Sequence, residues 1–172
     1  MHSVPSRKVH VHNHQAWEVA RDKLVKTIAY KLGLGPDYLS VELEMLLLME
    51  KGSRINHCLI DNGGVKFVGM LFIQLPSVFT GGKVGIFDLG NKCSCGHEHK
   101  TMSNHFNLGI TSGKSAYSCY FICHYSDCEL KIAKIQSGSC VLLQYSLHYK
   151  IEPKPTSNSL NSSMIREIIC LC

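Results

Sequence analysis

Hydrophobic residues recur every three or four positions near the start of the chain, which is the spacing of one helix face. The stripe consists of Trp17, Ala20, Leu24, Ile28 and Leu32. Gly33 and Gly35 follow it, with Pro36 behind them, and these residue types end helices. The pattern predicts one amphipathic helix that packs on another element, and we interpret Trp17 as a packing residue.

From residue 38 onward the hydrophobic pattern changes to short runs and alternations that are typical of strands. Strands are predicted at about residues 41–49, 54–60, 66–75, 83–89, 104–110, 116–124, 130–135 and 140–148. Turn-forming residues separate them, including the Asp-Asn-Gly-Gly run at 61–64 and the glycines at 81–82. Many short strands after one helix predict a mainly β protein, a sandwich or barrel with a helical flank.

The length of 172 residues is typical of a single domain. We expect a polar N-terminal arm at residues 1–14, a β domain at 15–150 and a flexible tail rich in Pro, Ser and Asn at 151–172. The hydrophobic fraction of 45% is sufficient for a proper core. The chain is therefore expected to fold rather than to be disordered.

Charge and cysteine content narrow the functional classes. The formal net charge of +5 is spread along the chain without a run of Lys or Arg, so we predict no nucleic-acid partner. No secretory leader and no membrane-spanning run are apparent, and we expect a cytoplasmic or nuclear protein without a membrane partner. The nine cysteines are then expected to be reduced and mostly buried. An extracellular form whose leader is not part of this sequence remains the alternative.

Cysteines and histidines alternate at Cys93, Cys95, His97 and His99, and these are residue types that bind zinc. Structural zinc sites usually separate paired ligands by two or more residues, whereas strict alternation suits one face of a strand or a loop. A zinc-stabilised interaction module is therefore the weaker hypothesis. The histidines at positions 10, 12 and 14 could join such a site, but we favour a solvated arm.

Three ordered motifs resemble the prolyl-4-hydroxylase-like family of Fe(II)/2-oxoglutarate-dependent dioxygenases. They are LEMLLLMEKG at 43–52, LFIQLPS at 71–77 followed by TGG at 80–82, and HYSDCE at 124–129 followed by SG at 137–138 and LLQYSL at 142–147. The similarity covers residues 34–147, about two thirds of the chain. It implies a double-stranded β-helix, or jelly-roll, with a flanking N-terminal helix.

The family holds Fe(II) with a His, a carboxylate two residues later and a second His, which leaves coordination positions for 2-oxoglutarate and oxygen. A cation about ten residues beyond the second His pairs with the far carboxylate of 2-oxoglutarate. In this chain the resemblance places His57 at the first His and Leu59 at the carboxylate. Leu130 falls at the second His, and Cys140 falls at the cation.

A lone imidazole does not hold Fe(II) at useful affinity, and leucines offer no lone pairs. We therefore expect a pseudoenzyme or binding module with no catalytic residues, which binds neither Fe(II) nor 2-oxoglutarate. Its partner would be an unidentified protein or small molecule. On this interpretation His57 is an ordinary strand residue and Asp61 a turn residue.

The alternative is an active hydroxylase with a rearranged metal site. His57 would then be joined by substitutes such as Asp61 or Glu129, with Asp127, Cys128 and His124 nearby in sequence. Lys131 would be a remote substitute for the missing cation. Such an enzyme would decarboxylate 2-oxoglutarate and hydroxylate a protein side chain or a small molecule.

Overall fold

The computed structural model describes residues 1–58, 66–88, 101–126 and 128–150. The expected tail at 151–172, the alternating Cys/His segment, Leu59, Asp61 and Asp127 lie outside these residues. Within the described ranges, no helix is both long and apolar enough to cross a membrane.

The predicted helix is confirmed as α1, His14–Lys31. The Asn13 side chain accepts a hydrogen bond from the backbone N–H of Ala16 at 3.4 Å, which satisfies one of the unpaired donors at the helix start. The buried face differs from the predicted stripe, because Ala20 is exposed while Val25 and Ala29 are buried.

Ten strands within the described ranges make the protein mainly β, as predicted. They are β1 (His2–Pro5), β2 (Leu39–Glu50), β3 (Ile55–Cys58), β4 (Phe67–Gln74), β5 (Phe79–Gly81), β6 (Val84–Asp88), β7 (Thr101–Phe106), β8 (Tyr120–Tyr125), β9 (Cys128–Ile132) and β10 (Ile135–Tyr149). Two short 3₁₀ helices cover Ser6–Lys8 and Lys114–Ala116. The second of these occupies the start of the strand that we expected at 116–124.

The strands form two sheets, and every strand pair is antiparallel. The large sheet has the order β1-β2-β10-β4-β8, with β5 paired to β10. The small sheet has the order β3-β9-β6-β7. The first residues of the long strand β10 pair with β5, and its later residues pair with β2 on one side and β4 on the other. Strand β10 is therefore hydrogen-bonded to three other strands of the large sheet.

Two strands were not predicted from the sequence. Strand β1 lies within the expected polar arm, and its four residues pair with residues 45–48 of β2. The arm is therefore partly an edge strand of the large sheet. Strand β5 includes Gly81, where we expected only a chain break. Both strands are short and acquire their conformation from a long neighbour.

The space between the two sheets is filled by an interior cluster of buried side chains. It contains Leu47, Met49, Ile55, Met70, Phe72, Phe79, Val84, Ile86, Leu108, Tyr120, Ile122, Leu130, Ile132, Ile135, Cys140 and Leu142. These residues come from both sheets and point to the same interior because side chains alternate along a strand. This interior is where the family resemblance implies a metal and a co-substrate.

A second, helix-side cluster packs α1 onto the other face of the large sheet. It contains Val25, Ile28, Ala29, Leu32, Leu39, Val68, Leu71, Ile73, Phe121, Cys123, Leu143, Tyr145 and Leu147. At its edge the indole N–H of Trp17 donates a hydrogen bond to the Tyr145 hydroxyl at 3.2 Å. The helix therefore covers the outside of the large sheet, as its amphipathic pattern predicts.

Candidate functional site

The two positions that the resemblance assigns to the first and second histidine ligands lie side by side in the small sheet. His57 of β3 is paired directly with Leu130 of β9. Leu130 is also paired with Ile86 of β6 on its other side. Leu130 has no solvent exposure and belongs to the interior cluster. The position that would supply the second imidazole is thus occupied by a packed aliphatic side chain.

The position that the resemblance assigns to the co-substrate cation holds a buried thiol. Cys140 lies on β10 opposite Met49 of β2 and is only 3% exposed. Burial raises the pKa of the Cys140 thiol to about 12, because the thiolate loses its hydration in an apolar surrounding. The group is therefore neutral at pH 7 and offers no positive charge to a carboxylate.

The substitutes on β9 point away from the interior. Glu129 and Lys131 flank Leu130, and neighbouring residues of a strand face opposite sides of the sheet. Lys131 Nζ lies 3.3 Å from Glu129 Oε2 and 4.6 Å from the centroid of the Phe87 ring. By this alternation the acid and the cation form a pair on the side of the small sheet opposite Leu130, where the Glu129 side chain is 10% exposed and the Lys131 side chain 35%.

His124 is the other imidazole that we considered as a substitute ligand, because it is near Leu130 in the sequence. It is buried at 4% exposure on β8, stacks on Phe72 with ring centroids 6.1 Å apart, and its Nδ1 lies 2.9 Å from the Tyr125 carbonyl oxygen. In the part of the chain that the structure describes, no group of three His, Cys, Asp or Glu side chains is arranged to hold a metal ion.

A buried amide that the sequence analysis did not single out lies in the large sheet. Gln74 ends β4, is 1% exposed, and is paired with Tyr120 of β8 and Leu142 of β10. Neither its amide nitrogen nor its amide oxygen has a hydrogen-bond partner among the described atoms. From the sequence, the only indication that the Gln74 side chain is buried is the hydrophobic run that precedes it in β4.

These observations test whether the residues fit Fe(II) and 2-oxoglutarate. The second histidine position holds Leu130, the cation position holds a neutral thiol, and the suggested substitutes Glu129 and Lys131 face outward. Fe(II) requires nitrogen and oxygen donors, and a dicarboxylate requires a cation or several donors. The donor set of the described residues does not fit either group.

Neither protein-family models nor curated proteins gave a match to this chain.

Proposed function

We propose that this chain is a double-stranded β-helix domain of the 2-oxoglutarate dioxygenase type, which acts as a non-catalytic binding module. The proposal combines an architecture inferred from strand order with the chemistry of the interior. The observation that carries it is the fully buried Leu130 at the second histidine position.

Nested strand pairing supports the jelly-roll architecture. Apart from the short strands β1 and β5, eight strands remain, and they pair first with last and then inward: β2 with β10, β3 with β9, β4 with β8 and β6 with β7. The outer and the third pair belong to the large sheet, and the other two belong to the small sheet. An eight-stranded hairpin that is rolled into two sheets has this nested order.

The register between β3 and β9 supports the alignment of this chain with the family motifs. The motif places its two histidines on different strands that must converge on one ion, and the pairing of His57 with Leu130 satisfies that requirement for their backbones. The cation position, Cys140, contributes to the same interior cluster as Leu130. The architecture of a ligand site is therefore compatible with the resemblance, while the ligand-binding side chains are replaced.

The proposed consequence is a shift of function from chemistry to binding. Apolar packing at Leu130 stabilises the sheet-to-sheet interface, because buried aliphatic groups contribute about 1.5–3 kcal/mol each. A scaffold stabilised in this way does not need metal or co-substrate to hold its shape. Its partners would be recognised by the outer surfaces and by the loops that join the strands.

The test is a pair of anaerobic titrations of the purified chain, one with Fe(II) alone and one with Fe(II) plus 2-oxoglutarate. Calorimetry measures the heat of binding, and thermal unfolding measures the melting temperature with and without each ligand. We expect no stoichiometric heat and no rise of the melting temperature from either titration. Ligand that binds the native state raises the melting temperature by mass action, so the second readout does not depend on catalysis.

Two outcomes would contradict the proposal. One-to-one binding of Fe(II) and 2-oxoglutarate with conversion of 2-oxoglutarate to succinate would establish the rearranged hydroxylase instead. One zinc ion per purified chain, lost in the Cys93→Ser/Cys95→Ser double variant but retained in Cys119→Ser, would establish the zinc-stabilised module.

A further inference from the structure

The outer face of the small sheet carries a cleft of about 390 Å³. Gly85, Phe87 and Ala133 are part of its lining. The cleft lies on the opposite side of the sheet from the interior cluster, since Val84 and Ile86, the neighbours of Gly85 in β6, belong to that cluster and do not line the cleft. It is therefore separate from the interior of the protein.

A glycine in the centre of the sheet creates the hollow. Strand register aligns Asn56, Lys131, Gly85 and His105 in one row across all four strands. A Cβ atom at Gly85 would lie 3.1 Å from Phe87 Cε2 and 3.5 Å from His105 Nδ1. Because this position has no side chain, the neighbouring rings become walls and the backbone becomes the floor.

Four cations surround this apolar hollow. Arg54, Lys83, Lys131 and Lys134 line it, and no aspartate or glutamate is among its described lining residues. One of these cations, Lys131, is paired with the Glu129 carboxylate at 3.3 Å. Like charges so arranged repel one another in the absence of an anion. The cleft thus combines an uncharged floor with an excess of positive charge at its rim.

Lys131 is held in position by two contacts. Its ammonium lies between the Glu129 carboxylate at 3.3 Å and the Phe87 ring at 4.6 Å. An ammonium has three N–H donors, so one bond to the carboxylate leaves donors for a ligand. Attraction to the ring further fixes the group over the cleft floor. A positioned cation loses less side-chain entropy on binding than a fully mobile one.

We propose that this cleft binds a small aromatic phosphate monoester. Its volume falls within the range of about 300–1,000 Å³ that is typical of small-molecule sites. The doubly charged phosphate matches a rim of several cations better than a single carboxylate does, and Arg54 can offer paired N–H donors to it. The flat apolar body of the ligand would lie on the floor beside Phe87.

The test uses the full 172-residue chain, labelled with ¹⁵N and titrated with phenyl phosphate while amide chemical shifts are recorded. Inorganic phosphate tests the phosphate group without the ring, and phenol tests the ring without the phosphate. Benzoate tests a ring that carries a single carboxylate. We expect saturable shifts of the Gly85, Phe87, Lys131 and Ala133 amides, and affinity for phenyl phosphate about tenfold or more above that for each other probe, since tenfold corresponds to one well-made contact.

Two exposed lysines offer a matched pair of variants. Lys83→Gln removes a rim charge and should weaken phenyl phosphate binding severalfold while leaving the weak phenol shifts unchanged. Lys114→Gln removes an exposed charge from the second 3₁₀ helix, away from the cleft lining, and should change neither. Added salt should weaken the binding of phenyl phosphate because exposed charges are screened.

The proposal is overturned if inorganic phosphate or benzoate binds as tightly as phenyl phosphate, or if Lys83→Gln binds like the unmodified chain. Shifts dispersed over the whole surface would also overturn it. A thymidine oligonucleotide that binds more than about tenfold tighter than phenyl phosphate would assign this face to single-stranded nucleic acid instead, where stacking and a basic groove act together.

Discussion

His57 and Leu130 are directly paired across strands β3 and β9. The family resemblance assigns the first histidine ligand to residue 57 and the second to residue 130, so the two assigned positions are neighbours on adjacent strands. Because Leu130 is also paired with Ile86, it sits in a central strand of the small sheet, where a polar replacement would have no access to water. The structure therefore gives the Leu130 side chain a packing role in the interior cluster.

The packing role of Leu130 can be measured by truncation. Since Leu130 has no solvent exposure, Leu130→Ala should lower the free energy of unfolding by about 2–5 kcal/mol through lost burial and the cavity that remains. Chemical denaturation measures this change. Val78→Ala, at a side chain that is 75% exposed, should stay within about 0.5 kcal/mol. Equal effects of the two substitutions would show that Leu130 is not packed.

The buried amide of Gln74 should be replaceable by an apolar group. Both polar atoms lack a described partner, and an unsatisfied buried group costs about 1–3 kcal/mol. Gln74→Leu should therefore raise the free energy of unfolding, whereas Gln136→Leu at an exposed strand position should leave it nearly unchanged. A marked loss of stability in Gln74→Leu would mean that the amide is hydrogen-bonded, for example to buried water.

Two glycines with nearly the same positive φ allow the cost of backbone strain to be distinguished from the cost of a steric clash. Gly138 and Gly113 have φ of 71° and 70°, and a side chain in this region costs about 1–2 kcal/mol. A Cβ at Gly113 meets nothing within 4 Å, whereas one at Gly138 would overlap the carbonyl of Val78, the residue that precedes the neighbouring strand β5. Gly138→Ala should therefore destabilise the protein clearly more than Gly113→Ala, as measured by thermal unfolding. Similar losses would argue against close pairing of β5 and β10.

Alkaline pH should destabilise the protein through its buried thiols. Burial raises the pKa of both Cys123 and Cys140 from 9.0 to about 12. A folded-state pKa above the unfolded value means that the stabilisation is present below pH 9.0 and is lost as pH rises toward about 12. The free energy of unfolding should fall by up to about 1.4 kcal/mol per pH unit for each thiol in that window.

Removal of one thiol isolates its share of this pH dependence. Under reducing conditions, Cys140→Ala should show a shallower decline of stability above pH 9.0, with the Cys123 contribution remaining. Cys119→Ala, at an exposed position, should retain most of the slope. If Cys140→Ala declines as steeply as the unmodified chain, the Cys140 thiol is not shielded from water.

The helix and most long strands were predictable because their hydrophobic periodicity is local. The alternation in residues 41–49 identified β2, and the run at 66–75 identified β4. Strands β1 and β5 were missed because pairing with β2 and β10 determines their conformation. The bounds of β10 were also underestimated, since its first residues pair with the unpredicted β5.

Alternation alone also assigns Glu129 and Lys131 to the side of β9 opposite Leu130. The sequence analysis considered these residues as substitute ligands because they are near Leu130 in the chain, and nearness in sequence does not distinguish the two faces of a sheet. In the structure they form an outward-facing pair. Assigning each residue of β9 to one side of the sheet would have shown that Glu129 and Lys131 lie on the side opposite Leu130 and are poor candidates for substitute ligands.

The sequence by itself determined the mainly β class and the position of the amphipathic helix, because residue type and periodicity are local properties. Only the tertiary structure decided that His57 faces Leu130 in register, that Cys140 is shielded enough to stay neutral, and that Arg54, Lys83, Lys131 and Lys134 surround one cleft. Charges that are scattered along the chain converge through strand pairing between distant segments, and hydrophobic periodicity carries no information about which strands pair.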